Sequence, residues 1–514
     1  MTTESLRLSA ATRSGVLWLA LFLLPFAALA VHQWGWAPQA SAGDWAQYLL
    51  HAKALVEGRP YAETGYIFHP SAWAIGPRAY PPGLPLTLVP IVAAAGVHSS
   101  LVRLLMLASV AVFAYLAWRR LSLDVPPWQA AVGAGFAALA IEAAWGTLAP
   151  ISDPGFAALM WGMVLAADTT STWTWRRILL ITTLGGAALA YRIVGIALLA
   201  AFALHALVTW RRHGGRAAIP VAIWFAGGLL ALAVGAVHVS DVATILTGLG
   251  GAISSPTLLM QQYRQALFAI VLYPSTNAGA NLAYHVVAAS FVVVGLVLLA
   301  RRLWRSFLAV ACVVYVIMLL ISPVIEARYL WPLYPVGACA FAVGLTSVLE
   351  RVRRSRPAFD APRFALACMA VVGLAATTIE CRRAPPRPLV GTPDAQQLFA
   401  WLRQTNSVAP MRIVFSNPRV VTLESGVPAM GNVERTAPGQ LLAYAERRIT
   451  HLIWQPDAMS DCLQKIANTL PSLYPTRFAL AYENPSFRVY QVLSDATPVD
   501  SAFKTLTWRE VDRC

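Results

Sequence analysis

The chain has 514 residues, of which 58% are hydrophobic and only 12% charged, about half the charged share of a soluble domain. This excludes an ordinary soluble globular protein and points to a polytopic α-helical membrane protein. The formal net charge of +15 does not imply a nucleic-acid partner, because the basic residues fall in short clusters between apolar runs, as in cytoplasmic loops.

The first apolar segment, Val16 to Val31, follows Arg7 and Arg13. It lacks a small-residue cleavage site leading into a soluble domain, so it reads as a retained span over 14–33. A long outer loop, 34–100, follows. It opens with "GDWAQYLLHAKALVEGRPY" (Gly43 to Tyr61), where a helical run follows an aspartate at the membrane edge. The period places Tyr48, Ala52 and Leu55 on one face, which predicts a helix lying along the membrane surface. Later in the loop "LPLTLVPIVAAAG" (Leu84 to Gly96) is short for a span and carries Pro85 and Pro90. It is expected as an interfacial helix, since counting it as a span would put Arg119 and Arg120 outside.

A span needs about 20 apolar residues. The remaining ones are predicted near 101–118, 128–147, 155–169, 178–191, 194–210, 218–237, 284–300, 306–322, 329–348 and 364–380. With the first, this gives about 11 transmembrane helices. The Arg119/Arg120, Arg176/Arg177, Arg211/Arg212/Arg216, Arg301/Arg302/Arg305 and Arg351–Arg363 clusters then lie inside. The N-terminus is inside and everything after residue 381 outside.

The tail turns polar after "RRAPPRPLVGTPD". Its patterns predict a small α/β domain: helices at "DAQQLFAWLRQ" and "GQLLAYAERR", and strands at "MRIVFS", "ITHLIWQ" and "SFRVYQVL". The expected division is therefore 1–383, membrane domain, and 384–514, extracytoplasmic domain. Cys381, Cys462 and Cys514 follow the last span, where a disulfide is open to them in an oxidising compartment.

The outer loops gather charges at one membrane face: Asp44, Asp153 in "APISDPGF", Arg192 in "AYRIVGIAL", and Glu326 and Arg328 in "SPVIEARYLWPLYP". Charges at membrane depth usually face a cavity or a partner, so a shared outward-facing cavity is expected. Asp44 suits a general base and equally a helix N-cap. Asp153 before Pro154 is open to the same two readings. The two acids could also hold a divalent cation through oxygen ligands, although neither belongs to a DxD-type cluster. Arg192 interrupts an apolar stretch, for which a phosphate partner is an explanation; Arg328 shares that logic or pairs with Glu326. "RAYPPGLPL" (Arg78 to Leu86) suits lipid-chain contact or a proline-led helix start. His69 in "YIFHPS" is a lone loop histidine for which a structural role leads. No HExxH, P-loop or dinucleotide glycine motif occurs.

Taken in order, the acid followed by "QYLLHAKALVEGRPY", then "YPPGLPL", "ISDPGF", "YRIVG" and "RYLWPLYP", resemble the GT-C superfamily of polyprenyl-phosphate-sugar-dependent membrane glycosyltransferases. The similarity is to its protein O-mannosyltransferase and lipid A aminoarabinose transferase branch. The resemblance spans the chain. It implies an inverting transfer of a sugar from a polyprenyl-phosphate donor to a glycan, lipid or protein acceptor at the outer face of the cytoplasmic membrane. By resemblance Asp44 matches the first-loop catalytic acid, Asp153 the second-loop acid, and Arg192 a donor-phosphate ligand, with Tyr80 near donor entry. The chain departs from the pattern at Trp45, where many relatives have a second acid, and at Gln47, where some have a basic residue. Lys53, Arg59 and Arg78 are the expected substitutes. A transporter or a non-catalytic membrane scaffold would share the topology; the one-sided charges and the absence of repeats argue against a transporter.

Overall fold

In the computed structural model, the described residues are 3–34, 43–70, 76–140, 149–169, 173–210, 214–233, 278–320, 327–355, 364, 371, 391–455 and 462–493. They fall into two compact units. The first comprises the described parts of Met1–Gly35, Arg103–Leu148 and Ser152–Ala384. The second comprises those of Trp36–Val102, Ala149–Ile151 and Pro385–Cys514. The first outer loop thus joins the tail in one unit, where the sequence groups it with the membrane helices.

The first unit is helical. Among the described residues four segments are long and apolar enough to cross a membrane: Gly15–His32, Ser100–Leu121, Val286–Leu303 and Arg328–Arg354. Over six other predicted spans lie helices Pro127–Leu139, Asp153–Asp168, Trp175–Tyr191, Ile196–Val208, Ala218–Ala233 and Phe307–Leu320. The predicted span 364–380 lies largely outside the described residues, as do Glu326, Cys381 and Cys514. The predicted turn near Arg192 is a helix break: helix Trp175–Tyr191 ends, Arg192 is extended at φ −150° and ψ 136°, and a 3₁₀ turn Ile193–Gly195 starts the next helix.

Apolar side chains fill the interior, and several buried polar groups within it find partners. The indole N–H of Trp161 donates to the Pro332 carbonyl (2.8 Å) and that of Trp331 to the Ala137 carbonyl (2.7 Å). The Tyr315 hydroxyl donates to the Tyr329 carbonyl at 2.8 Å. These bonds pin the 3₁₀ segment Ala327–Leu333, in which Pro332 supplies no amide hydrogen. Arg120 is buried rather than solvated like its cluster neighbour Arg119. It pairs with Asp168 at 2.6 Å and with Asp124. Asp168 also accepts the backbone N–H groups of Phe307 (2.6 Å) and Leu308 (3.1 Å), satisfying two open donors of the helix Phe307–Leu320.

The second unit is built on a mixed sheet of β1 Ile413–Val414, β2 Ala429–Met430, β3 His451–Trp454, β4 Phe478–Glu483 and β5 Arg488–Val492, in the order β2-β1-β3-β5-β4. β1 runs parallel to β2 and β3, and β5 antiparallel to β3 and β4. Side chains alternate between the two faces. Ile413, Ile453 and Val489 meet Leu398, Phe399 and Leu402 of helix Pro393–Val408. Val414 and Leu452 meet Leu441, Tyr444 and Leu470 on the other face. Thr392 caps the first of these helices by accepting the Ala395 N–H at 3.2 Å, with Pro393 in its first turn.

The outer loop enters this architecture through backbone pairing. Tyr66 bridges Ala429 in parallel. The Ala429 N–H donates to the Gly65 carbonyl at 3.2 Å, and the Ile67 N–H donates to the Ala429 carbonyl at 2.8 Å, so loop backbone covers the edge of β2. Gly65 has φ +82°, and a Cβ there would stand 2.7 Å from Thr422 Cγ2, so both backbone and space require glycine. The loop helix Asp44–Val56 packs against helices Gly83–Ala95 and Pro418–Ser425. It is buried on every side from Trp45 to Ala52, including Gln47 and His51, more than the one face its apolar period marks. The 13 residues of Gly83–Ala95 rise about 20 Å, short of the roughly 30 Å hydrocarbon core.

Candidate active site

Two clusters hold half of the sequence-predicted site residues, one cluster in each unit. In the second unit Asp44 is the first residue of its helix, and the N-cap position is Gly43. Asp44 Oδ1 accepts the Tyr80 hydroxyl at 2.6 Å and the Arg419 Nη1 at 2.9 Å. Tyr80 is placed by the Pro77–Ala79 turn that precedes it, and its ring meets Tyr48 edge-on at 5.3 Å. Burial raises the pKa of Tyr80, and the neighbouring Asp44 charge adds to the effect, so the phenol keeps its proton and remains a donor. Arg419 enters from helix Pro418–Ser425. Its guanidinium lies 4.9 Å from the Tyr66 ring centre and 5.2 Å from that of Tyr80, within cation–π range.

Behind Asp44, one turn apart on the same helix, Gln47 and His51 form a core network. His51 Nδ1 lies 2.7 Å from the Tyr61 carbonyl, which only accepts, so Nδ1 carries the proton. Its Nε2 then accepts from Gln47 Nε2 at 3.0 Å, and the same amide donates to Thr64 Oγ1 at 3.1 Å. The ring stacks on Tyr61 at 4.1 Å. Burial lowers the His51 pKa to about 4, so the imidazole is neutral near pH 7.

In the first unit Asp153 begins helix Asp153–Asp168, with Ser152 at the N-cap and Pro154 in the first turn. Its Oδ1 pairs with Arg192 Nη1. Its buried Oδ2 has no hydrogen-bond partner among the described residues, an energetically expensive arrangement unless a further group meets it. Glycine at 155 is required sterically: a Cβ there would stand 2.3 Å from the Tyr191 ring, which packs just before Arg192. The Arg192 guanidinium lies 4.5 Å from the Tyr329 ring centre, and that of Arg328 lies 5.6 Å from the same ring. Arg192 and Arg328 therefore share the Tyr329 ring, and Asp153 is tied to it through Arg192.

The expected substitutes in the first loop are placed differently. Lys53 lies 3.9 Å from Glu57, and Arg59 Nε donates to Glu57 at 2.8 Å. Arg78 is exposed. His69 is buried, with Nε2 3.1 Å from Glu446 Oε2 of the tail. Among the described residues no group of three or more His, Cys, Asp and Glu could hold a metal ion. Sequence reasoning missed Arg419, 375 residues from Asp44. Its only local signal is a charged residue inside the apolar run "PRVVTL".

Comparison with family models and with curated proteins gives no match. Solved structures do match in fold, which is that of the GT-C membrane glycosyltransferases. ArnT from Cupriavidus metallidurans, bound to undecaprenyl phosphate, matches with TM-score 0.52 and 14% identity over 93% of this chain and 98% of that one. The archaeal oligosaccharyltransferase AglB from Archaeoglobus fulgidus, in complex with an inhibitory peptide and a dolichol-phosphate, matches with TM-score 0.56 and 13% identity. The match covers 95% of this chain and 75% of that chain.

Proposed function

We propose that this protein is an inverting glycosyltransferase that moves a sugar from a polyprenyl-phosphate donor to a glycan, lipid or protein acceptor at the outer face of the cytoplasmic membrane. The observation that carries the reading is the Asp44 carboxylate, oriented through Oδ1 by Tyr80 and Arg419 while 31% of its side chain stays exposed. The fold supports the class, and the lipid phosphates held by two proteins of the same fold support the donor.

In this reading Asp44 accepts the proton of the acceptor hydroxyl as its oxygen attacks the anomeric carbon. The bond from that carbon to the phosphate oxygen breaks, and the electron pair leaves with the polyprenyl phosphate. The leaving anion requires charge stabilisation rather than a proton. Arg192 and Arg328 are assigned to the donor's lipid phosphate, and Asp153, paired with Arg192, sets the direction of that guanidinium. Tyr80, beside Asp44, borders the path of the donor.

The test is Asp44→Asn at wild-type abundance, assayed in membranes for transfer from a panel of polyprenyl-phosphate sugars. The reading expects transfer by the wild type and a loss on the order of 10³-fold in the variant, since general-base assistance contributes about 10²–10⁴-fold. Equal transfer by both overturns the base assignment. No transfer by the wild type across the panel overturns the enzyme reading.

A further inference from the structure

We infer that Arg419 is a positioning residue for Asp44, through which the folded tail completes a site whose acid lies in the first outer loop. The inference rests on the reading of Asp44 as the base. A guanidinium is poorly tolerated out of water without a partner, and Arg419 is 7% exposed. Its charge is met by Asp44 and by the faces of Tyr66 and Tyr80. The stem is equally placed: Arg419 Cδ passes 3.5 Å from where a Cβ of Gly43 would stand, so it packs against the entry of the Asp44 helix. Glu424, on the same tail helix, is directed elsewhere, 3.5 Å from His98.

The asymmetry of burial separates positioning from simple stapling. Arg419 is enclosed, whereas the Asp44 side chain remains 31% exposed; the cation is part of the wall and the carboxylate is presented. Two donors converge on one oxygen, which fixes the plane of the carboxylate. Neither donor varies with pH in the working range, because guanidinium stays charged and burial keeps Tyr80 protonated. The backbone pairing of Tyr66 with Ala429 places one of the two aromatic faces. The cation therefore reaches Asp44 only with the tail sheet folded against the loop.

Titratable and charged groups around the pair include Tyr48 and His51 on the helix of Asp44, Tyr61, Tyr66 and Tyr80 in the loop, and Arg419 from the tail. Burial keeps Tyr61, Tyr66 and Tyr80 protonated and His51 neutral near pH 7, and Arg419 sets a positive charge 2.9 Å from the Asp44 carboxylate. Removing it should move the acid limb of the rate profile upward.

The experiment compares wild type, Arg419→Gln, Arg419→Lys and Asp44→Asn in the full-length protein. It measures membrane abundance, kcat, KM for the donor and the pH dependence of kcat. Arg419→Gln is expected to lower kcat on the order of 10²-fold, as for a misplaced reacting group. It should move the acid limb up by about one pH unit, the shift one neighbouring charge produces. Arg419→Lys should recover part of the rate and the original limb, and it carries the test if the Gln variant does not accumulate. Wild-type kcat and limb in Arg419→Gln would overturn the inference, as would a loss of rate with an unmoved limb and no recovery by Lys. An inactive wild type, or an active Asp44→Asn, overturns the underlying reading instead.

Discussion

The guanidinium of Arg192 lies 4.5 Å from the centre of the Tyr329 ring and also pairs with the carboxylate of Asp153. This arrangement joins the break after helix Trp175–Tyr191 to the 3₁₀ segment Ala327–Leu333 and to the first turn of Asp153–Asp168. Three segments far apart in sequence are thereby joined by one guanidinium.

Removing one side of the pair leaves the other charge buried. Arg192→Gln is expected to destabilise the protein by about 3 kcal/mol, the usual consequence of breaking a buried pair. Asp153→Asn in the same chain should restore much of the loss, because the uncompensated charge is then gone. Melting temperatures of the two single variants and the double variant in detergent measure this. A double variant no more stable than Arg192→Gln would mean the pair is not coupled.

His51 gives a pH dependence of defined sign. Its pKa is lowered by burial to about 4, below the unfolded value of about 6.5, so between those values the unfolded chain binds more protons. The contribution is fully present above about pH 6.5 and is lost as pH falls through about 4, amounting to roughly 3 kcal/mol. His51→Gln should flatten the pH dependence of the melting temperature between pH 4 and 6.5. A variant that keeps the wild-type slope would place the dependence on another group.

What the sequence made legible is what local rules govern. Apolar runs and arginine clusters mark the helices, "YRIVG" marks the break at Arg192, and alternating patterns mark β1, β3 and β5. Asp44 and Asp153 stand out because acids are rare near apolar segments. Arg419 does not stand out: the contact to Asp44 depends on pairing Tyr66 with Ala429, a non-local register that no periodicity encodes. The helix Asp44–Val56 is a second case. Its apolar stripe predicts one buried face, while Gln47 and His51 on the rest of its circumference are buried by hydrogen bonding to Thr64 and Tyr61. Arg120 likewise reads as a loop charge until Asp168, 48 positions away, supplies its partner.

Asp168 performs two tasks at once, pairing with Arg120 and accepting the N–H groups of Phe307 and Leu308. Asp168→Asn keeps the shape but loses the charge, so Arg120 is left with Asp124 alone on a more exposed side. The expected loss is about 3 kcal/mol, set by the uncompensated buried guanidinium. Asp124→Asn should cost well under half of that, because Asp124 is partly exposed and solvent screens it. Thermal melts of the two variants decide the ranking; equal losses would show that the two acids share the charge evenly.

Gly65 and Gly58 separate backbone strain from crowding. Both have positive φ, +82° and +69°, but a Cβ at Gly58 would meet nothing within 4 Å, whereas one at Gly65 would stand 2.7 Å from Thr422 Cγ2. Gly58→Ala is therefore expected to cost only the left-handed backbone, about 1 kcal/mol. Gly65→Ala adds displacement of a packed methyl group, for a total of about 2–3 kcal/mol. The second change also pushes the loop off the edge of β2, since the Gly65 carbonyl accepts the Ala429 N–H. Hydrogen exchange at Ile67 and Ala429 should then accelerate in Gly65→Ala and stay at the wild-type rate in Gly58→Ala. Equal exchange in the two variants would mean that the loop is held by its side chains rather than by the backbone bridge.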